Sequence, residues 1–163
     1  MATVDNNLSV YDSKNIPDGA DFKIGIVVSE WNDDITFNLL KGAKETLLKH
    51  GVKEEAISIE FVPGAFELPL GAQFMLESGN YDGIITIGTV IQGETKHFDY
   101  VCEGTALGIK DVMLKYNTPV MFCVLTDNTR QQSIDRSGGI HGNKGVEAAV
   151  ACLKMIALKK RRL

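Results

Sequence analysis

Apolar and polar positions along the chain follow two periods in turn, one suited to buried strands and one to helices lying on them. Residues 1–21 carry little periodicity and end in Pro17-Asp18-Gly19, a turn composition. They read as an N-terminal arm or edge strand, and 22–163 reads as a single domain. From Phe22 the rhythm is regular. Lys23 to Ser29 (KIGIVVS) is a β-branched run bounded by polar residues, hence a buried strand. Asn32, Asp33 and Asp34 then offer N-cap side chains, and Ile35, Leu39, Leu40, Ala43, Leu47 and Leu48 follow at helical spacing until Gly51 closes the helix. Ala56 to Val62 alternates as a strand. A helix follows from about Phe66 to Ser78, with Pro69 tolerable only in its first turn.

The most apolar strand lies within Tyr81 to Ile91, followed by a helix from about His97 to Tyr116, a strand from Val120 to Thr126, a short helix around Asn128 to Ser137 and a last helix from Lys144. Strands alternating with helices of this length imply a parallel sheet covered on both faces and linked by right-handed crossovers. The expected fold is α/β, a three-layer α/β/α sandwich with a parallel, flavodoxin-like sheet. In such sheets ligands bind outside the carboxyl ends of the strands. The segments leaving those ends are Glu30-Trp31-Asn32-Asp33, Pro63 to Glu67, Gly93 to His97 and Thr126-Asp127-Asn128, and they are rich in aromatic and polar side chains.

Composition narrows the function classes. The 163 residues carry a formal net charge of -4, against the basic face of a nucleic-acid binder. The one basic cluster, Lys159 to Arg162, reads as a solvated tail whose cations suit a helix C-terminus. Cys102, Cys123 and Cys152 are too few and too widely spaced for a zinc site or disulfide framework, and each sits in an apolar stretch, so buried free thiols are expected. No apolar run reaches the roughly 18–20 residues of a membrane span, and the polar N-terminus lacks the pattern of a secretory signal. A reducing cytoplasm is the simplest home.

Several residues at the strand exits can carry chemistry. Gly93-Glu94-Thr95 precedes a helix start, whose unpaired amides and dipole suit a phosphate. Glu94 would repel that phosphate if its carboxylate faced inward, so its side chain should point away. His97 follows in the first helical turn, where an imidazole can exchange protons near neutrality. Taken singly, however, a histidine at a helix start is more often structural. His50 beside Gly51 reads as a helix C-terminal cation, while His141 in a glycine-rich stretch is either a loop residue or a site cation. Trp31, the only tryptophan, is either core or a stacking platform for a flat heterocycle. Phe122 lies within a strand, where core is the default. Arg136 and Lys144 flank a glycine-rich loop, and an arginine there can grip a phosphate with two parallel hydrogen bonds. Ala65-Phe66-Glu67 sets a carboxylate where it could accept hydrogen bonds from sugar-like hydroxyls.

The strings IGIVVSEWND (24–33), VPGAFELP (62–69), GTVIQGETKHFDYVC (88–102) and GNKGVEAA (142–149), with the Arg136 that ends IDR, resemble the signature segments of the lumazine synthase family. The resemblance runs in order from about residue 22 to 155. It implies a transferase of riboflavin biosynthesis that joins 5-amino-6-(ribitylamino)uracil to 3,4-dihydroxy-2-butanone 4-phosphate, releasing phosphate and water, without metal or cofactor. By the same resemblance Trp31 stacks on the pyrimidine, Ala65, Phe66 and Glu67 surround the ribityl chain, and Thr89, Val90 and Ile91 line the heterocycle. Glu94 and Thr95 contact the phosphorylated substrate, His97 donates a proton, Phe122 borders the pyrimidine pocket, Arg136 binds the phosphate, and Lys144 is a further contact.

The family forms sites between neighbouring subunits of a pentamer, with Phe122 and its surroundings supplied by the adjacent chain. The short loop between Arg136 and Lys144 resembles that of members assembling a 60-mer shell, and a physical association with riboflavin synthase stays open. Two departures stand out. Trp31 occupies a position where phenylalanine is frequent, and His141 one where lysine is frequent. Two rival readings are a flavodoxin-like flavin-binding module and a non-catalytic shell protein on the same fold. The first would carry a hydroxyl- and glycine-rich loop after the first strand, where this chain has the acidic Ser29-Glu30-Trp31-Asn32-Asp33-Asp34.

Overall fold

The computed structural model describes residues 7–163. Four strands, β1 (Ile24–Ser29), β2 (Ile57–Val62), β3 (Gly83–Ile91) and β4 (Val120–Asp127), form one parallel sheet in the order β2-β1-β3-β4. The covering helices are α1 (Asp33–Lys49), α2 (Leu68–Ser78), α3 (His97–Lys115), α4 (Arg130–Arg136) and α5 (Lys144–Arg162). This is the α/β/α sandwich expected of the pattern, with each expected strand and helix found within a few residues.

The period-2 pleat sorts the strands between two cores. Ile24, Ile26, Val28, Ile85, Ile87, Cys123 and Leu125 pack with α1 and α5, while Val27, Ile84, Val120 and Val124 pack with α2 and α3. Every residue of β1 is buried, as suits a strand with neighbours on both sides and helices on both faces. β2 is an edge strand, none of it fully buried, and its Phe61 ring meets Phe37 of α1 edge-on at the surface. Each fully buried isoleucine contributes about 1.5–3 kcal/mol through its removal from water.

Five local expectations need correction. Asn32 occupies the N-cap of α1, but in a left-handed conformation (φ 58°, ψ 52°) with no side-chain cap bond. His50 is not a free helix-end cation. Its Nε2 lies 3.0 Å from the Tyr11 hydroxyl, and burial followed by the charge of Lys49 lowers its pKa. The C-terminal basic cluster is only partly a solvated tail: Lys160 pairs with Asp82 at 3.2 Å and lies over the Phe22 ring, and Lys159 donates to the Thr118 hydroxyl. Cys123 and Cys152 are fully buried and burial pushes both thiols up to about 12, but Cys102 on α3 is only partly buried. Finally, the loop between α4 and α5 contains a small antiparallel hairpin, β5 (Ser137–Gly139) with β6 (Gly142–Asn143). Its strands are too short, and too rich in glycine, to leave a periodic signature.

The initial portion of the N-terminal arm, residues 1–6, lies outside the described residues. The remainder holds a 3-10 turn at Ser13–Asn15 and no strand. It leans on the hairpin: the Leu8 amide donates to the His141 carbonyl at 2.7 Å, and the Asn143 amide donates to the Ser9 hydroxyl at 2.9 Å. Among the described residues no helix is long and apolar enough to cross a membrane.

Candidate active site

The carboxyl ends of β1, β2 and β3 open onto one cavity, and local hydrogen bonds fix each of its walls. At the exit of β1, the Glu30 and Trp31 amides donate to the Val62 and Pro63 carbonyls at 2.8 and 3.2 Å, extending the β1–β2 ladder past the strands. The Thr36 hydroxyl donates to the Ser29 carbonyl at 2.9 Å and draws α1 against the same turn. Trp31 is left 72% exposed, an indole standing clear of its own core.

After β2 the chain enters a 3-10 turn, Ala65–Glu67, that runs directly into α2. Pro69 lies in the first turn of that helix, where its missing N–H costs nothing. The Thr105 hydroxyl of α3 donates to the Ala65 carbonyl at 3.2 Å. Beside it, Gly104 lets the Phe66 ring approach so closely that an added Cβ would lie 2.6 Å from it. Phe66 keeps its other side to the surface.

At the end of β3, the Thr89 hydroxyl lies 3.2 Å from that of Ser133 on α4, which donates to Asp127 at 2.8 Å. These buried groups lock the end of β3 to β4 and α4. Thr95 accepts the amide of His97 at 3.3 Å just ahead of α3, leaving its own O–H available as a donor. That distance is long, so the hydroxyl is not committed to a strong bond.

The cavity holds about 750 Å³, within the range of small-molecule sites. Trp31, Ala65, Phe66, Glu67, Thr89, Val90, Ile91, Thr95 and His97 line it together with Asn32, Gly64, Gly93, Phe98, Tyr100 and Val101. Of the last six, Asn32, Gly64 and Gly93 lie in the strand exits named from the sequence, whereas Phe98, Tyr100 and Val101 were not singled out. Tyr100 and Val101 could have been, since they stand three and four residues past His97 on one helical face. The arrangement offers flat apolar walls, one carboxylate, one imidazole and the start of a helix with no side-chain cap. It can hold a planar heterocycle with a polar tail and move a proton at one end. Among the described residues no group of three or more His, Cys, Asp or Glu side chains is placed to hold a metal ion.

Four candidates do not line this cavity. Glu94 is exposed on the loop between its two lining neighbours, consistent with a carboxylate turned away from an anion. Phe122, expected as core by default, is 38% exposed; it shares the α2/α3 face of β4 with Val124, but at the open edge of the sheet. Arg136 ends α4, donating to the Gln132 carbonyl at 3.0 Å, with its Nε 3.9 Å from Asp127. Lys144 begins α5, with its ammonium 2.8 Å from Glu147. His141 lies at the tip of the β5–β6 hairpin and also stays out of the cavity.

Fold and cavity define a small-molecule-binding α/β/α protein whose site opens at the carboxyl edge of a parallel sheet. The chain belongs to the 6,7-dimethyl-8-ribityllumazine synthase family, whose model matches residues 21–160. It is similar to the 6,7-dimethyl-8-ribityllumazine synthase of Flavobacterium johnsoniae, with 57% identity over 161 residues, covering 99% of this chain and 85% of that one. The protein of the same name from Christiangramia forsetii is 54% identical, covering 98% of this chain and 96% of its own. That from Parabacteroides distasonis is 52% identical over 156 residues, covering 96% and 98%.

Proposed function

We propose that this chain catalyses the reaction its relatives are named for, condensing 5-amino-6-(ribitylamino)uracil with 3,4-dihydroxy-2-butanone 4-phosphate to 6,7-dimethyl-8-ribityllumazine. The observation that carries the reading is the single cavity that gathers Trp31, the Ala65–Glu67 turn, the end of β3 and His97. The indole stacks on the pyrimidine, Thr89 to Ile91 close around its edge, and Glu67 accepts hydrogen bonds from the ribityl hydroxyls. The phosphorylated ketone lies toward the start of α3, where Thr95 and the loop amide of Glu94 meet it and the dipole favours its charge.

The substrates supply much of the chemistry. The 5-amino group of the pyrimidine attacks the ketone carbon and forms an imine with loss of water, so no lysine nucleophile is required. A proton is then lost from the adjacent carbon and the C–O bond to phosphate breaks by elimination. His97 moves protons in these steps, and Arg136 offsets the charge on the departing phosphate. Attack by the ribityl-bearing nitrogen closes the second ring, with loss of a second water. Holding both reactants in one pocket supplies a large part of the acceleration.

Phe122, Arg136 and Lys144 belong to the same site through a neighbouring copy, in a pentamer or in a 60-mer shell built from pentamers. This assembly accounts for a ring-binding phenylalanine and a phosphate-binding arginine that lie outside the protomer's own cavity. The domain proper is residues 22–163, with 1–21 as an arm. The unpaired cysteines suit a reducing cytoplasm, where riboflavin synthase, which would consume the product, is a candidate partner. The acidic, glycine-free turn after β1 speaks against a flavodoxin-type flavin module. The test is product formation from the two substrates, followed by its fluorescence, on protein whose native mass is measured in parallel. Turnover requiring both substrates is expected from an assembly of five subunits or a multiple. An intact assembly with no turnover would instead favour a non-catalytic shell.

A further inference from the structure

The aromatic wall of the cavity has little of its own chain behind it. Trp31 is largely exposed, and Asn32 after it adopts a left-handed backbone, which asparagine tolerates better than other non-glycine residues. The Asn32 side chain would ordinarily cap α1, but it makes no cap bond. Its Oδ1 accepts instead from Arg130 Nη1 at 3.4 Å, while Arg130 Nη2 lies 2.5 Å from Asp34 Oδ2. One guanidinium thus spans the residue after Trp31 and the second residue of α1, across 98 and 96 positions of sequence.

The placement of this arginine is informative. Arg130 is the first residue of α4, where the helix dipole disfavours a cation, so α4 gains nothing from it. The start of α4 is held by other means: the Gln132 amide donates to the Thr129 hydroxyl, and the Asn128 amide donates to Gln132 Oε1. A turn further on, Ser133 fastens α4 to Thr89, another residue of the cavity wall. Arg130 therefore projects from a helix anchored to one wall and pairs closely with Asp34 at the start of α1, with a longer contact to Asn32 in the turn that forms the opposite wall. Arg136 stands at the far end of the same helix.

We propose that Arg130 is a positioning residue that fixes the Trp31–Asn32 turn for ring stacking. It does not touch substrate. The inference rests on the reading of Trp31 as the pyrimidine platform. Because α4 also carries Arg136, the clasp joins the aromatic wall of one site to the phosphate-binding residue that the same chain lends to its neighbour.

The test uses the assembled protein and two readouts. The first is the fluorescence anisotropy decay of Trp31, the only tryptophan, without ligand. The second is steady-state kinetics with each substrate varied. In Arg130→Ala the indole should gain a fast local motion, KM for the ribitylaminouracil should rise roughly 3-fold, short of the loss in Trp31→Ala, and kcat and the other KM should stay near wild type. Arg130→Lys, which retains the ion pair with Asp34, should recover part of both effects. Both variants should assemble normally, since the pair is about half exposed. Unchanged indole motion in Arg130→Ala overturns the clasp. Increased motion with an unchanged KM overturns the role in binding, and Trp31→Ala then separates the two causes. If that variant also binds normally, the platform reading has failed; if it binds weakly, the error lies with Arg130.

Discussion

The exits of β1, β2 and β3 and the segment running from β4 through α4 to the start of α5 bear functional candidates in very different ways. The first region folds its candidates other than Glu94 into one concavity, each wall fixed by bonds from neighbouring strands and helices. The second places Phe122, Arg136 and Lys144 outside that concavity, with Arg136 turned onto Gln132 and Asp127 and Lys144 onto Glu147. The protomer's own cavity thus gathers one set of candidates and leaves the other set outside it. On the function proposed above, a protomer is half a site twice over, and the two halves are complementary in chemistry. Oligomers close such arrangements when a surface of one copy meets a different surface of the next, the geometry of a ring.

Substitutions in the two regions should therefore fail differently. The largest effect is expected in the second region. Arg136→Ala should raise KM for the phosphorylated butanone by roughly 10- to 100-fold, the worth of charge-assisted hydrogen bonds to a phosphate, with little change for the ribitylaminouracil. Steady-state kinetics with each substrate varied measures this, and an equal loss for both substrates would blur the division. In the first region, His97→Ala should lower kcat by about 10- to 100-fold while both KM values stay near wild type. Turnover at the wild-type rate would remove the imidazole from the proton transfers. The smallest effect is expected at the aromatic wall. Trp31→Ala should weaken the ribitylaminouracil about 3- to 10-fold, and Trp31→Phe should stay within about twofold because either ring stacks. Isothermal titration with that substrate alone, where no reaction occurs, reads the difference.

Much of this was legible before any coordinates. The strand runs of β1 and β3 announced themselves because central parallel strands are apolar on both faces. Their exits pointed to the cavity because ligands in this architecture gather there. Trp31, the Ala65–Glu67 turn, Thr95 and His97 all lie on those exits. What the sequence withheld depends on which way a side chain turns and what it meets. Phe122 reads as core because a strand phenylalanine generally is, and only the sheet order reveals that β4 is an edge. Asn32 looks like a helix cap because asparagine prefers that role. Its diversion to Arg130 is a contact between distant segments that no local pattern encodes. His50 looked like a free helix-end cation, but its ring meets the Tyr11 hydroxyl, and burial followed by the charge of Lys49 lowers its pKa. That Arg136 and Lys144 stay outside the protomer's cavity, the basis for proposing a site divided between copies, leaves no trace in spacing, because both stand on ordinary helix ends.

The most direct test of that division is complementation between two crippled chains. His97→Ala and Arg136→Ala variants, each impaired when pure, would be co-expressed in equal amounts so that they assemble together. If each site draws its imidazole from one copy and its guanidinium from the next, random assembly leaves about one site in four fully native. Activity at low phosphorylated substrate should then rise well above the mean of the two pure variants. Activity that merely equals that mean would contradict the account, since it would mean that His97 and Arg136 act within one chain or do not act on the same substrate.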